Sequence, residues 1–330
     1  MIMDPFHIVT NAVILSVFLM LLDRSSYAVI TGAADISRST RMRYSSIGFI
    51  FVALSTSLPE ASVSLFAAVE GAAGLAIGNV LGSNIANVCL IIGIPVLYGC
   101  LSKTGVAECR LTLPEQEYSS LFFGLFISSV LPLFMVRSTK YVPFIGFVLI
   151  AIFIIYSYHL SRSRTETYSS NDLTRGAKSY LFRGAAYAIA GIAGVILSGY
   201  AIVLSASNLA AAFSLSGTLV GATIVAVGTS LPELAISLKS IQKNRMDFAL
   251  SNAIGSCFAN LTIILGLFFI FSRITTRVDA YFDLVFFSLI SNLFLWYFLS
   301  RRKLGAKESM VLLVIYAIFL VEFVGIFTLF

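Results

Sequence analysis

The 330 residues are 58% hydrophobic and only 12% charged, with a mean hydropathy of +0.94. A soluble domain carries about 25% charged residues, so the composition excludes a protein with a water-facing surface on every side. The net charge of +6 could suit nucleic acid, but the basic residues lie in loops between apolar runs, where topology selection puts them. No nucleic-acid partner is expected.

Apolar runs of roughly 20 residues, each long enough to cross ~30 Å of hydrocarbon, recur along the whole chain. They predict spans near 6–37, 45–69, 72–98, 116–136, 141–160, 181–206, 214–238, 247–271, 279–300 and 309–329. The alternating period of transmembrane β-strands is absent. The expected fold class is an all-α integral membrane protein of about ten transmembrane helices. The start, Met1 to His7, has no basic segment and no small-residue cleavage site, so the first run reads as a retained helix. Cys89, Cys100, Cys109 and Cys257 form no CxxC pair, and neither a disulfide framework nor a zinc site follows.

Loop charge sets the orientation. Arg38, Arg41, Arg43, Lys103, Arg110, Arg162, Arg164, Arg175, Lys178, Arg183, Lys239, Lys243, Arg245, Arg301, Arg302, Lys303 and Lys307 lie in alternate loops on one side. The opposite loops hold Arg137, Lys140, Arg273 and Arg277. Seventeen basic residues against four place the richer side in the cytoplasm and both termini outside. The expected location is the cell (plasma) membrane, crossed many times.

Residues 52–94 and 225–267 align without a gap at an offset of 173, with 17 identities in 43 positions. The identities fall on unusual residues: Thr56/Thr229, Ser57/Ser230, Pro59/Pro232, Glu60/Glu233, Ser64/Ser237, Asn79/Asn252, Gly82/Gly255, Ser83/Ser256 and Asn87/Asn260. Five predicted spans separate the copies, and an odd number inverts the second one. Residues 1–160 are then a first five-helix half, 161–180 a polar cytoplasmic linker, and 181–330 a second half of opposite topology. Inverted repeats are the common plan of secondary transporters, with the site at mid-membrane on the repeat interface.

Glu60 and Glu233 fall in the middle of apolar runs, where a carboxylate is costly and marks an ion path, a pair or a cavity. One such carboxylate could be a neutral packed group. Two at equivalent repeat positions, each after Thr-Ser-Leu-Pro, point to ion binding. Pro59 and Pro232 each remove a backbone N–H and free the carbonyl four residues earlier, at Ser55 or Gly228. Those carbonyls join the hydroxyls of Thr56, Ser57, Thr229 and Ser230 in an oxygen-rich pocket. Gly82-Ser83 and Gly255-Ser256 are expected to break their spans in the same way and to add Ser83, Ser256 and the amides of Asn87 and Asn260. Hard oxygens of this kind select Na⁺, Ca²⁺ or Mg²⁺ over zinc or copper. Two carboxylates balance one divalent ion, and a flexible oxygen cage suits Ca²⁺ better than Mg²⁺.

With these residues the chain resembles the cation/Ca²⁺ antiporter superfamily, most closely its prokaryotic Na⁺/Ca²⁺ exchanger type. The likeness is tightest over the two 43-residue repeats. It implies Ca²⁺ held by Glu60 and Glu233 with the backbone carbonyls of Thr56 and Thr229. It further implies Na⁺ sites at Ala53, Ser57 and Ser83 in one copy and Ala226, Ser230 and Ser256 in the other. Spans 1 and 6 are expected to slide against the core in alternating access. The expected activity is electrogenic exchange of Na⁺ for Ca²⁺, with Ca²⁺, Na⁺ and the lipid bilayer as partners, no cofactor, and a monomer sufficient for transport. Ser55 replaces the usual Gly of the motif, and Asn260 stands where K⁺-coupled relatives carry Asp. H⁺-driven Ca²⁺ exchange and a cation channel are the alternatives. An intramembrane enzyme is not expected, because the chain has neither HExxH nor a pair of intramembrane aspartates.

Overall fold

The computed structural model describes residues 5–40, 57–102, 115–135, 142–163, 177–242, 246–272 and 281–329. The first half begins with α1 (Pro5–Thr40), α2 (Leu58–Val69) and α3 (Ala73–Ala86). A π-helical turn, Asn87–Ile91, then leads into α4 (Gly93–Leu101), and α5 (Glu115–Met135) and α6 (Val142–Ser163) follow. The second half opens with α7 (Ala177–Ala212) and α8 (Gly217–Val220), then a π turn at Gly221–Val225 and α9 (Ala226–Thr229). Next come α10 (Leu231–Gln242) and α11 (Met246–Ala259), a third π turn at Asn260–Ile264, and α12 (Leu265–Phe271). The last two helices are α13 (Phe282–Ser300) and α14 (Ala306–Leu329). No strand occurs among the described residues.

Among those residues five helical stretches are long and apolar enough to cross a membrane: Phe6–Ser25, Ala73–Leu101, Phe182–Ala212, Phe248–Phe271 and Phe282–Ser300. A sixth span is a broken one, Gly217–Thr229 and Leu231–Gln242, bent by 44°. The shorter apolar helices Leu58–Val69, Leu121–Leu133 and Pro143–Tyr158 fall at further expected spans. The chain is a multi-pass helical membrane protein.

Adding 173 to the bounds of α2, α3 and the first of the three π turns gives those of α10, α11 and the last. The duplicated sequence therefore folds twice into the same local structure. Ser57 and Ser230, the residues just before the two Pro-bearing helices, even share their backbone angles (φ −88°, ψ 9° and φ −89°, ψ 8°). In each copy a proline sits in the helix's first turn, where its missing N–H has no intrahelical partner to lose. The 44° bend marks the expected Pro232 break. The corresponding break before Pro59, and Ala53, Ser55 and Thr56 with it, lie outside the described residues.

The expected breaks at Gly82 and Gly255 do not form. α3 and α11 run unbroken through both glycines, and the irregular turns come later, at Asn87–Ile91 and Asn260–Ile264. The reason is packing. A Cβ on Gly82 would collide with the backbone of Ala222, and one on Gly78 with the carbonyl of Thr218. These glycines let two backbones touch, as small residues do at membrane helix crossings, and the helical hydrogen bonds stay intact.

The two halves interleave. α3 lies against α8 and the Gly221–Val225 turn of the other half, and α13 and α14 pack on α3, α4 and the turn between them. Reciprocally, α5 packs on α11, and α6 on α12 and its preceding π turn. The α3–α4 and α11–α12 rods are thus the interior of the molecule. α1 and α7 run along each other at the periphery, and Val9, Val13, Val17 and Met20 on α1, like Ile189 and Ile196 on α7, are exposed, as lipid-facing residues are.

Candidate functional site

Glu60 and Glu233 are both 0% exposed. Each stands in the first turn of its helix, α2 or α10, where unsatisfied N–H groups favour negative charge. The Ser230 hydroxyl donates to Glu60 Oε1 at 2.9 Å, across the two halves. Within the second half, the Ser256 hydroxyl donates to Glu233 Oε1 at 3.3 Å. Glu60 Oε2 and Ser57 Oγ are buried without a hydrogen-bond partner, so oxygens with free acceptor capacity face the interior. Neighbouring protein groups therefore leave Glu60 incompletely satisfied in a place without bulk water, which is the condition that a bound cation relieves.

Other expected ligands converge on the same place. Ser83 Oγ donates to the Ala226 carbonyl at 3.4 Å, joining α3 to α9. Thr229 Oγ1 lies 3.0 Å from the carbonyl of Val225 and 3.2 Å from that of Ala226. Asn87 and Asn260, each the first residue of a π turn, are fully buried. Asn260 Nδ2 donates to Asn84 Oδ1 at 3.1 Å, and its own Oδ1 is left without a partner. Two of the twelve expected ligands, Ala53 and Thr56, lie outside the described residues. Glu60, Ser83, Ala226, Thr229 and Ser230 form one cluster through these bonds and those of Asn79.

Asn79 is the residue that sequence reasoning passed over. Its Nδ2 donates to the Glu60 carbonyl at 3.3 Å and to Ser64 Oγ at 3.0 Å, and its Oδ1 accepts from Thr229 Oγ1 at 3.2 Å. Asn252 repeats the first two bonds, to the Glu233 carbonyl at 3.4 Å and to Ser237 Oγ at 3.5 Å. Each amide ties a Glu-bearing turn to the central helix beside it. The signal was present: Asn79/Asn252 and Ser64/Ser237 are among the repeat identities, and their polarity has no other use in a buried helix. Asn84 was missed too. It occupies the repeat position of Cys257, and the Cys257 thiol lies 3.7 Å from its carbonyl.

Among the described residues no group of three or more His, Cys, Asp and Glu could hold a metal. The site instead combines two separate carboxylates with neutral hydroxyl, amide and carbonyl oxygens, the donor set of a hard, oxygen-seeking cation.

The sequence pattern described as "Sodium/calcium exchanger protein" matches residues 10–162 and 183–325. The chain belongs to the sodium/calcium exchanger family. The two matched blocks coincide with the two halves of the fold and leave out most of the polar connection between them. Among relatives of this exchanger family, sodium/calcium exchanger MaX1 of Methanosarcina acetivorans is 29% identical over 345 residues, covering 95% of this chain and 98% of its own. Inner membrane protein YrbG of Escherichia coli is 32% identical over 260 residues, 77% of this chain and 78% of that one. A solved structure of the sodium-calcium exchanger NCX_Mj, soaked with 100 mM Na⁺ and 10 mM Sr²⁺, superposes with a TM-score of 0.64 at 25% identity, over 94% of this chain and 97% of the other.

Proposed function

We propose that this chain is a secondary antiporter that exchanges Na⁺ for Ca²⁺ by alternating access, with net charge movement. The observation that carries this reading is the pair of fully buried carboxylates at equivalent repeat positions, each accepting a serine hydroxyl. A bare −2 charge is too costly to leave in a low-dielectric interior. Either one Ca²⁺ or several Na⁺ ions offset it, so two cations of similar radius compete for one pocket. Glu60 and Glu233 supply the charge, and the carbonyls of Thr56 and Thr229 complete the Ca²⁺ shell. Na⁺ uses Ala53, Ser57 and Ser83 on one side, and Ala226, Ser230 and Ser256 on the other. Asn87 and Asn260 contribute neutral amide oxygens at the centre. The relatives named sodium/calcium exchanger and sodium-calcium exchanger support the choice of ions.

Radioactive Ca²⁺ uptake into proteoliposomes tests the coupling. An outward Na⁺ gradient drives uptake, and a membrane potential negative inside accelerates it. Uptake that follows only a pH gradient would replace Na⁺ by H⁺ as the driving ion. Uptake indifferent to voltage would make the exchange electroneutral.

The same reading places both termini outside the cell membrane and the repeats in opposite orientation. The turn after α2 and the turn after α10 then face opposite compartments. Gly71 adopts φ 76°, a left-handed conformation that Cys would strain, so the probe belongs on its exposed neighbour. Glu70→Cys and Asn244→Cys, each in a background without the native cysteines, react with an impermeant maleimide from opposite sides. Labelling from one side only would remove the inverted repeat and the shared mid-membrane site together.

A further inference from the structure

A second set of buried polar residues lies on α13 and α14, none of them among the expected cation ligands. On α13, Ser288, Ser291 and Asn292 share one face through their spacing of three and four. On α14, Ser309 and Tyr316 share another, seven residues apart. The five-residue connection Arg301–Gly305 makes these helices antiparallel neighbours, and both pack on the π turn that holds Cys89. The Cys89 thiol donates to Ser291 Oγ at 3.2 Å, and Ser291 Oγ in turn donates to the Phe287 carbonyl at 2.7 Å. The remaining polar atoms find nothing: Ser288 Oγ, both amide atoms of Asn292, Ser309 Oγ and the Tyr316 hydroxyl are buried without a hydrogen-bond partner. Exposure is 2% at Ser288, 1% at Asn292, 0% at Ser309 and 6% at Tyr316, so neither bulk water nor lipid headgroups reach them.

Polar groups left bare in this way are costly in a membrane protein, where no solvent substitutes for the missing partner. We infer that the space between the Asn87–Ile91 turn, α13 and α14 is a second site, occupied by ordered water. The chemistry favours water over an ion. The cluster contains only hydroxyl, amide and thiol groups, which both donate and accept, and a buried water uses two to four such partners. It lacks a carboxylate to offset the charge of a cation, which the Glu60 and Glu233 pocket has. The equivalent junction in the other direction differs. There Thr262, at the repeat position of Cys89, is satisfied by the Phe258 carbonyl, and among the described residues the buried polar groups of α5 and α6 are serines, two of which (Ser128 and Ser157) lack a partner, with no buried amide or phenol among them.

Hydroxyl-radical footprinting of the full-length protein in lipid nanodiscs tests this, because radicals formed from trapped water oxidise side chains that solvent cannot reach. After correction for intrinsic reactivity, Cys89 and Tyr316 oxidise several-fold faster than Phe319 and Phe323, which are also buried on α14 but apolar. Asn292→Leu, which fills the space with an apolar group, lowers both rates to that baseline. Ser288→Ala does so in part and serves if the leucine variant does not fold. Cys89 and Tyr316 at the phenylalanine baseline in the unmodified protein would overturn the inference, as would rates that neither substitution changes.

Discussion

Glu60→Gln removes Ca²⁺ exchange while leaving the protein folded. The amide keeps the volume of the carboxylate and still offers Oε1 to the Ser230 hydroxyl, so packing is unchanged and only the charge is lost. Taking one of two buried charges away from a bound divalent cation costs about 3 kcal/mol, roughly a hundredfold in affinity. Glu233→Gln has the same effect, because its carboxylate occupies the same repeat position and accepts from Ser256 instead. The measurement is Na⁺-driven Ca²⁺ uptake into proteoliposomes, with a monodisperse gel-filtration profile showing that the variant is intact. Near-normal uptake by either variant would mean that the carboxylates serve packing and that the cation sits elsewhere.

Gly82→Val produces the largest loss of stability. A Cβ at this position would run into the backbone of Ala222 rather than a flexible side chain, so relief requires α3 and the Gly221–Val225 turn to move apart. Overpacking of a tight contact costs about 1–3 kcal/mol even for small additions, and valine adds three carbons. The expected result is a marked fall in thermal unfolding temperature in detergent, or no recoverable protein. Gly325→Ala is the control. Nothing lies within 4 Å of a Cβ there, and alanine in an open helix position is worth about 0.8 kcal/mol over glycine. A Gly82→Val protein as stable as the Gly325→Ala one would show that the close approach of α3 and the Gly221–Val225 turn is not required.

Much of this architecture was legible in the residues. The hydrophobic runs gave the helices because a membrane demands length and apolarity before anything else, and the Pro-Glu motifs located the buried carboxylates. Gly82 misled because glycine serves two purposes, as a helix breaker in water and as a contact point in a membrane. Only the partner helix decides which, and the sequence does not name the partner. The π turns were not foreseen for a related reason. One extra residue in a helical turn leaves composition and hydropathy unaltered, though such turns often stand at functional positions. Asn79 and Asn252 were overlooked because they bond to backbone and hydroxyl groups rather than standing out as charges. Their role became visible once α2 and α3 were seen side by side.

The interleaving of the halves also bears on what one copy could do alone. Taken alone, residues 5–163 would leave Glu60 without the Ser230 hydroxyl and the Gly78–Gly82 face without a backbone to meet. Half of this chain is therefore an unfinished surface that the second copy completes. Each copy is the other's environment. A change at Ala222 is felt at Gly82, and one at Thr229 at Asn79, so a substitution at the seam acts on both halves at once.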